Sequence, residues 1–431
     1  MLKQPCSHEH ATGMFGSCGT ARGAKVTRPG WVEALYLHVP FCLRRCDYCD
    51  FASAATSHGD GVMSAYVASL MRLMDEAAGL GLIGAGTRTA YLGGGTPTML
   101  GASELGELIG RVRSLTPQLG ELSFEANPES LSDEVLASAL EAGATRVSIG
   151  VQSFNDRELR ALGRVHGASL ASESVAAAVV SGLHTSLDLM CGIPYQTPET
   201  WEASLARAVE LGVGHVSCYP LMIEPGTVME RLCESGKLPW PSDDTEADDM
   251  EAAERVLTQA GLARYEVASY ARPGQACAHN IAYWTGAEYL GLGTAASSML
   301  GRAGYESLRS AVPSLPSPGD AAVRFRLTIT SSTHEVIAAR CLSGLSFDVE
   351  QLSEREAVAE DLMLGARMSR GLSPELITRA CSALGEGKVR ACLATLVHKG
   401  LLCAGDAGTY PPTHSGWLLG NELYGALWDL A

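Results

Sequence analysis

Six short apolar runs between residues 34 and 219 alternate with longer amphipathic segments, and this alternation limits the fold more than any other feature. The runs at 34–38, 89–92, 121–126, 146–150, 184–190 and 215–219 read as strands. Between them, 64–78, 103–115, 132–141, 169–180 and 199–210 read as helices. In the first of these, Val67, Leu70, Met71 and Met74 share one face. Ser103 is the expected N-cap of the second. Strand–helix units in this order imply a parallel sheet with right-handed crossovers. Bent round, that sheet is an α/β fold of partial-barrel type, open, with about six units and related to the eight-unit TIM barrel.

In such barrels the chemistry collects at the C-terminal ends of the strands. The unusual residues of this chain fall there. The first strand leads into a loop with Cys42, Cys46 and Cys49, spaced C-x3-C-x2-C. The second leads to Gly93-Gly94-Gly95-Thr96-Pro97, the third to Glu125-Ala126-Asn127-Pro128, the fourth to Gly150-Val151-Gln152-Ser153, and the fifth carries Asp188. One central site is therefore expected. Three thiolates are one short of the four irons in a cubane iron–sulfur cluster, which leaves one iron open. A structural zinc site and ordinary buried thiols are the alternatives. Zinc favours two C-x2-C pairs or paired Cys and His, and no second pair follows at such spacing. Glycines let a ligand approach the backbone closely, and backbone amides can bind its polar groups.

The chain has 431 residues, 46% of them apolar, enough for a sizeable core in two or three domains or one barrel with an appendage. No apolar run approaches the ~20 residues that span a bilayer, and the first residues lack a secretory segment, so a cytoplasmic location is expected. In a reducing cytosol the 13 cysteines are thiols or ligands. A formal net charge of −16 argues against nucleic acid as a partner. Asp243, Asp244, Glu246, Asp248, Asp249, Glu251 and Glu254 form an acidic run that reads as a solvated helix face. Residues 1–30, with Cys6, His8, His10 and Cys18, read as a disordered leader.

The cysteine loop, with the aromatic Tyr48 before its third thiol, resembles the signature of the radical S-adenosylmethionine (radical SAM) superfamily. GGGTPT, EANPES, SIGVQSF, Leu162-Gly163-Arg164 and DLMCGIPYQT follow in order. Together they resemble the oxygen-independent coproporphyrinogen III oxidase group over roughly residues 34–300, and more weakly to the end. The resemblance implies a [4Fe-4S] cluster on Cys42, Cys46 and Cys49. It implies S-adenosylmethionine contacts at Tyr36, Tyr48, Gly94, Gly95, Thr96, Glu125, Gln152, Arg164 and Asp188. The group has an oxidase branch and a haem-binding, chaperone-like branch (HemW type). Oxidases carry a further cysteine two positions after the third ligand; here that position is Phe51. The other branch carries H-N-x-x-Y-W, matched by His279-Asn280-Ile281-Ala282-Tyr283-Trp284. His279 is then the expected axial haem ligand, with Tyr283 and Trp284 stacking on the macrocycle and Asn280 beside them. Cys277 could compete as a thiolate. From the residues alone, an ordinary capped turn with a buried Tyr-Trp pair is the competing account. After Gly291-Leu292-Gly293 the chain reads TAASSML where relatives more often have Gly and His, so no histidine ligand is expected there.

The resemblance implies a haem chaperone that hands haem to an acceptor protein. An electron donor such as flavodoxin or ferredoxin, and contact at the membrane periphery, are further partners it suggests. An oxidase that decarboxylates propionates and a two-SAM radical methyltransferase are the alternatives. The expected domains are a barrel over 31–240, a barrel extension with the haem motif over 241–320, and a C-terminal helical, winged-helix-like unit over 321–431. In the last, 321–329 reads as a strand, 354–368, 373–382 and 389–398 as helices, and 400–410 as a hairpin turning at Gly405-Asp406. Few Arg and Lys occur there, so a lid or partner surface is expected rather than a DNA reader.

Overall fold

The computed structural model describes residues 32–57 and 60–431. Cys6, His8, His10 and Cys18 lie outside the described residues. Six strands form the centre: β1 (Ala34–Val39), β2 (Thr89–Gly94), β3 (Glu121–Ala126), β4 (Arg146–Gln152), β5 (His184–Cys191) and β6 (His215–Pro220). They pair in sequence order and all in parallel. The returns run through α1 (Gly61–Gly79), α2 (Gly101–Leu115), α3 (Asp133–Ala142), α4 (Ala168–Ser181) and α5 (Pro198–Glu210). The partial barrel expected from the alternation is present.

Its strands alternate in polarity, which buried parallel strands rarely do. On β4, Val147, Ile149 and Val151 enter the core under the helices, while Arg146, Ser148, Gly150 and Gln152 line a central cavity. β5 and β6 do the same, with Leu187, Leu189 and Val216 outward and Ser186, Asp188, His215 and Ser217 inward. The inner face is polar because it surrounds a cavity rather than a packed core. On the helix side, Val67, Leu70 and Met74 of α1 are buried as their spacing predicts.

Capping follows the sequence in one helix and departs in another. Ser132 caps α3 by accepting from the Val135 amide, and Gly143 ends it in the left-handed conformation. Ser103, the expected cap of α2, lies inside the helix instead. The 3-10 turn Pro97–Leu100 runs straight into α2, so the helix begins earlier and no side chain caps it.

The sheet extends beyond the six strands on both sides. Past β6 it adds the short antiparallel strands β7 (Ala263–Arg264) and β8 (Ser269–Ala271). Past β1 it adds β9 (Tyr289–Leu292), which is parallel to β1, then antiparallel β10 (Ser297–Gly301), β11 (Ala322–Ile329) and β12 (Phe347–Ser353). The result is a 12-stranded sheet. The boundary expected at residue 321 would cut it, because β11 and β12 pair into it and Phe325, Leu327 and Ile329 join the main core. We place the start of the last unit near residue 354 instead.

From there α9 (Glu354–Gly365), α10 (Pro374–Ala380), α11 (Glu386–His398) and α12 (Gly420–Trp428) build a second core around Leu362, Leu372, Leu393 and Leu423. (α6, α7 and α8 are Asp243–Gln259, Ala278–Trp284 and Arg302–Ala311.) The expected hairpin at 400–410 is reduced to a loop that doubles back. The Cys403 and Gly405 amides donate to the Pro411 and Thr409 carbonyls, and Leu402 bridges Pro412, with no continuous ladder. Pro411 and Pro412 have no N–H to extend one. In α6 the acidic run departs from a purely solvated face, because Asp249 is buried and its carboxyl is pushed up to about 6 by that burial. Among the described residues no helix is long and apolar enough to cross a membrane.

Candidate functional site

The cysteine loop is pinned at both ends before its thiols are placed. Phe41–Cys42 pairs in parallel with Ala54–Ala55, closing the loop. The glycine stretch after β2 locks onto the same segment: the Gly95 amide donates to the Val39 carbonyl at 2.9 Å and the Thr96 amide to the Phe41 carbonyl at 2.7 Å. A Cβ on Gly95 would meet the Val39 and Phe41 carbonyl oxygens at 2.7 Å, so only glycine permits this contact. The Gly94 amide is also engaged, by Glu125 Oε2 at 3.0 Å. The glycine loop therefore contributes close approach, not the free amide donors its sequence suggests.

Cys42, Cys46 and Cys49 all line one central cavity of about 580 Å³. Thr96 Oγ1 donates to Cys42 Sγ at 3.6 Å, and Arg164 Nη1 donates to Cys46 Sγ at 3.3 Å. Burial pushes the Cys42 and Cys49 thiols up. Among the described residues no three His, Cys, Asp or Glu side chains converge closely enough to hold a single metal ion. Zinc needs such convergence, whereas a cubane binds each thiolate through a different iron.

Below the thiols the cavity wall carries the other expected residues. Gly94, Gly95, Thr96, Glu125, Gln152, Arg164, Asp188 and Tyr48 all line it. Glu125 and Asp188 are two half-buried carboxylates that face the cavity. Burial and the charge of Asp188 push Glu125 up to about 7, against the Gly94 amide and Tyr91. Burial pushes Asp188 up to about 6, against Ser217, Ser148 and Arg164. Gln152 sits at φ 68 beside a bulge between β4 and β5, a strained conformation for a side chain of this type. Tyr219 donates to its Oε1 at 3.3 Å. Tyr36 lies apart, lining a neighbouring cavity of about 340 Å³ that shares Gly94 and Glu125 with the first. Its hydroxyl pairs with His38 Nδ1 at 3.1 Å.

The HNIAYW stretch forms α7, which sits at the N-terminal end of the strands. Glu121, the first residue of β3, receives the Ala278 and His279 amides at 3.0 and 2.9 Å. The same carboxylate pairs with Arg146 at 3.2 Å, and Arg146 donates to the Gln275 and Ala276 carbonyls. An ion pair thus closes the barrel floor and holds the start of α7. His279 is 1% exposed, its Nδ1 paired with Thr89 Oγ1 at 3.0 Å and its ring stacked on Tyr91. Burial lowers it to about 4, so it is neutral, and its Nε2 is buried without a partner. Asn280 and Trp284 line the central cavity, and with Tyr283 they line another of about 400 Å³ beneath the C-terminal helices. His279 itself lines neither. Cys277 is buried and donates to Glu121 Oε1 at 3.4 Å, and burial pushes its thiol up to about 12. Phe51, at the position where oxidases carry the extra thiol, is 61% exposed at the cavity mouth.

Sequence reasoning missed most of the floor. Glu121, Arg146 and His215 line or close the same space beside Cys277, and His215 Nδ1 is buried without a partner. The polar residues at alternate positions of β4, β5 and β6 were the available signal.

The radical SAM superfamily model matches residues 36–208. "Heme chaperone HemW" of Mycobacterium tuberculosis is 36% identical over 80% of this chain and 84% of its own length. The protein of that name from Bacillus subtilis is 31% identical over 92% and 99%. Among solved structures, coproporphyrinogen III oxidase (HemN) from Escherichia coli superposes with a TM-score of 0.72 at 22% identity, over 93% of this chain and 91% of that one, a likeness of fold. Similarity of this extent, carried through the thiol loop and the strand ends that face it, means that the chain belongs to the HemW family of the radical SAM superfamily.

Proposed function

We propose that this chain is a haem chaperone. It holds a [4Fe-4S] cluster on Cys42, Cys46 and Cys49, binds S-adenosylmethionine beside it, takes up haem and passes the haem to an acceptor protein. The observation that carries this reading is the convergence of three thiols and two carboxylates of raised proton affinity on one cavity, in a member of the HemW family. Carboxylates with raised proton affinity favour a cationic ligand that restores their charge. The ammonium and sulfonium of S-adenosylmethionine suit them. When bound, a reduced cluster supplies one-electron chemistry to the sulfonium.

The chain's own groups then have separate tasks. Glu125 accepts from the ligand's ammonium, and Asp188 supplies a second negative charge. Gln152 offers a fixed amide at a strained backbone position. Arg164 carries its charge permanently and supplies donors for a carboxylate. Gly94 and Gly95 let the end of β2 pack against His38 and the cysteine segment, where a Cβ would clash. Tyr48 packs under the loop against Leu162 and Met190, keeping water from its lower side.

For haem, the donor chemistry of His279 fits an iron ligand: it is neutral, one nitrogen is held by a hydroxyl, and the other is unpartnered. Its access does not fit as it stands. Its ring is buried against Tyr91 and lines neither cavity, while Asn280 and Trp284, which line both, and Tyr283 are the side chains that would contact a macrocycle there. A flavodoxin- or ferredoxin-like donor, and an acceptor reached at the membrane periphery, are the partners this reading calls for.

The oxidase reading differs in one testable way. Anaerobically purified protein should bind haem on titration and form no protoporphyrinogen from coproporphyrinogen III. His279→Ala should shift the Soret band with the cluster retained, and Trp284→Ala should weaken binding with a smaller spectral change. Oxidase turnover by the parent would overturn the chaperone reading. A Soret change confined to Cys277→Ser would move the ligand role to that thiol.

A further inference from the structure

We propose that Arg164 and the Glu129–His166 pair behind it set the reduction potential of the cluster held by Cys42, Cys46 and Cys49. The inference rests on the cluster assignment above and deepens it. Arg164 Nη1 donates to Cys46 Sγ at 3.3 Å. Its Nη2 is held by Asn127 Oδ1 at 2.7 Å and by the Gly150 carbonyl at 2.6 Å. Two strand ends therefore aim the guanidinium at the sulfur, and a long flexible side chain is left little freedom. Gly150 makes room for this, since a Cβ there would meet Asn127 Oδ1 at 2.9 Å.

A second charge stands behind the first. Glu129 Oε2 pairs with His166 Nδ1 at 3.1 Å, and His166 Nε2 is fixed by the Val151 carbonyl at 3.2 Å. The His166 side chain is fully buried and that of Glu129 is 13% exposed. Glu129 and Arg164 act on each other through charge. The thiol site thus faces a cation in contact with a ligand sulfur and an anion one shell further out.

Reduction adds one electron, and so one negative charge, from a low-potential one-electron donor. Hydrogen bonds to the sulfurs and the local charge are the levers that set such potentials. Arg164 favours the reduced form, and Glu129 opposes it. Neither effect requires contact with substrate, so both are positioning and tuning roles. A unit charge about 10 Å away, in an effective dielectric of ~20, changes the reduced-to-oxidised ratio roughly tenfold. For a one-electron couple that is ~59 mV.

The test is a dithionite titration of the reconstituted protein followed by electron paramagnetic resonance, at iron and sulfide contents equal to the parent. Arg164→Gln should move the midpoint to more negative potential by more than a roughly tenfold ratio, since its charge touches a ligand sulfur, and Arg164→Lys by less. Glu129→Gln should move it the opposite way, and the double variant should lie between. Opposite signs are what a structural disturbance would not produce. Midpoints that are unchanged, or that move in the same direction, overturn the proposal. If Arg164→Gln fails to load a cluster, Glu129→Gln decides alone, and an unshifted midpoint there overturns it. A parent that loads no cluster would instead sink the assignment on which this inference rests.

Discussion

Glu121 and Glu125 stand on the same strand and the same face, four residues apart, yet they do opposite things. Glu121 meets Arg146 and two amides at the start of α7, so its charge is fully answered. Glu125 meets one amide, a tyrosine and a second carboxylate, so its charge is not answered and its proton is held up to about 7. One end of the barrel is closed by its own side chains. The other end is left in electrostatic deficit. The floor holds the structure together, and the mouth is kept ready for a cation at some cost in stability.

The largest expected effect is at the mouth. Replacing Cys42, Cys46 or Cys49 by Ala should remove the brown chromophore and most bound iron, because no neighbouring group can take over at this spacing. Stoichiometric iron and sulfide in the triple variant would mean the thiols are not ligands. Floor stability should be untouched in the metal-free protein.

Next comes the floor. Glu121→Ala leaves Arg146 buried and unpaired, and should cost ~3–5 kcal/mol of stability in denaturant unfolding. Loss of much less would mean that water or a neighbour answers Arg146, and the contrast between the two ends would fail.

Glu125→Ala should weaken S-adenosylmethionine binding by ~1.5–3 kcal/mol with the cluster retained, since one charge-assisted hydrogen bond is removed. Its stability should not fall as that of Glu121→Ala does. Calorimetry that finds unchanged affinity would return Glu125 to a structural role.

The pH dependence is comparable in size to the Glu125→Ala effect, but spread over several pH units. Glu125 is raised from 4.5 to about 7 and Asp188 from 3.8 to about 6. The folded chain therefore binds protons more tightly than the unfolded one within those windows. Stability of the ligand-free protein should fall as pH rises from about 4 to about 7. Affinity for a cationic ligand should move the other way, rising by up to about tenfold per pH unit and levelling above Glu125's value. In Glu125→Gln the rise should shrink. A flat affinity profile in the parent would remove Glu125 as the group that answers the ligand's charge.

Much of this was legible in the order of residues. The strands at 121–126 and 215–219 and the returning helices follow from local periodicity, which each segment carries within itself. The thiols, the glycine run, Glu125, Gln152 and Asp188 were placed on one site by the rule that strand ends converge, and Arg164 by the family resemblance. Ser103 failed as a cap because the turn before it was already helical, a fact of three-dimensional continuity. β9 went unrecognised because it is short and is defined by pairing with β1, some 255 residues earlier. The boundary near 321 was misplaced for the same reason, since β11 belongs to a sheet whose other members lie far away in sequence.

The sequence by itself determined which residue types sit at which strand ends, and so the class of chemistry and the family. Spacing along one chain suffices for that, because a strand's direction fixes which end of the barrel its last residue reaches. Only the tertiary structure decided which charges find partners. Glu121 and Glu125 carry the same side chain and the same local pattern. What separates them is Arg146 from β4 and the amides of α7, groups brought to one and not the other by packing. The same packing put His279 beneath Tyr91 with a single nitrogen left free, a state that no motif describes. Electrostatic energies depend on distance and burial, and neither quantity is written along the chain.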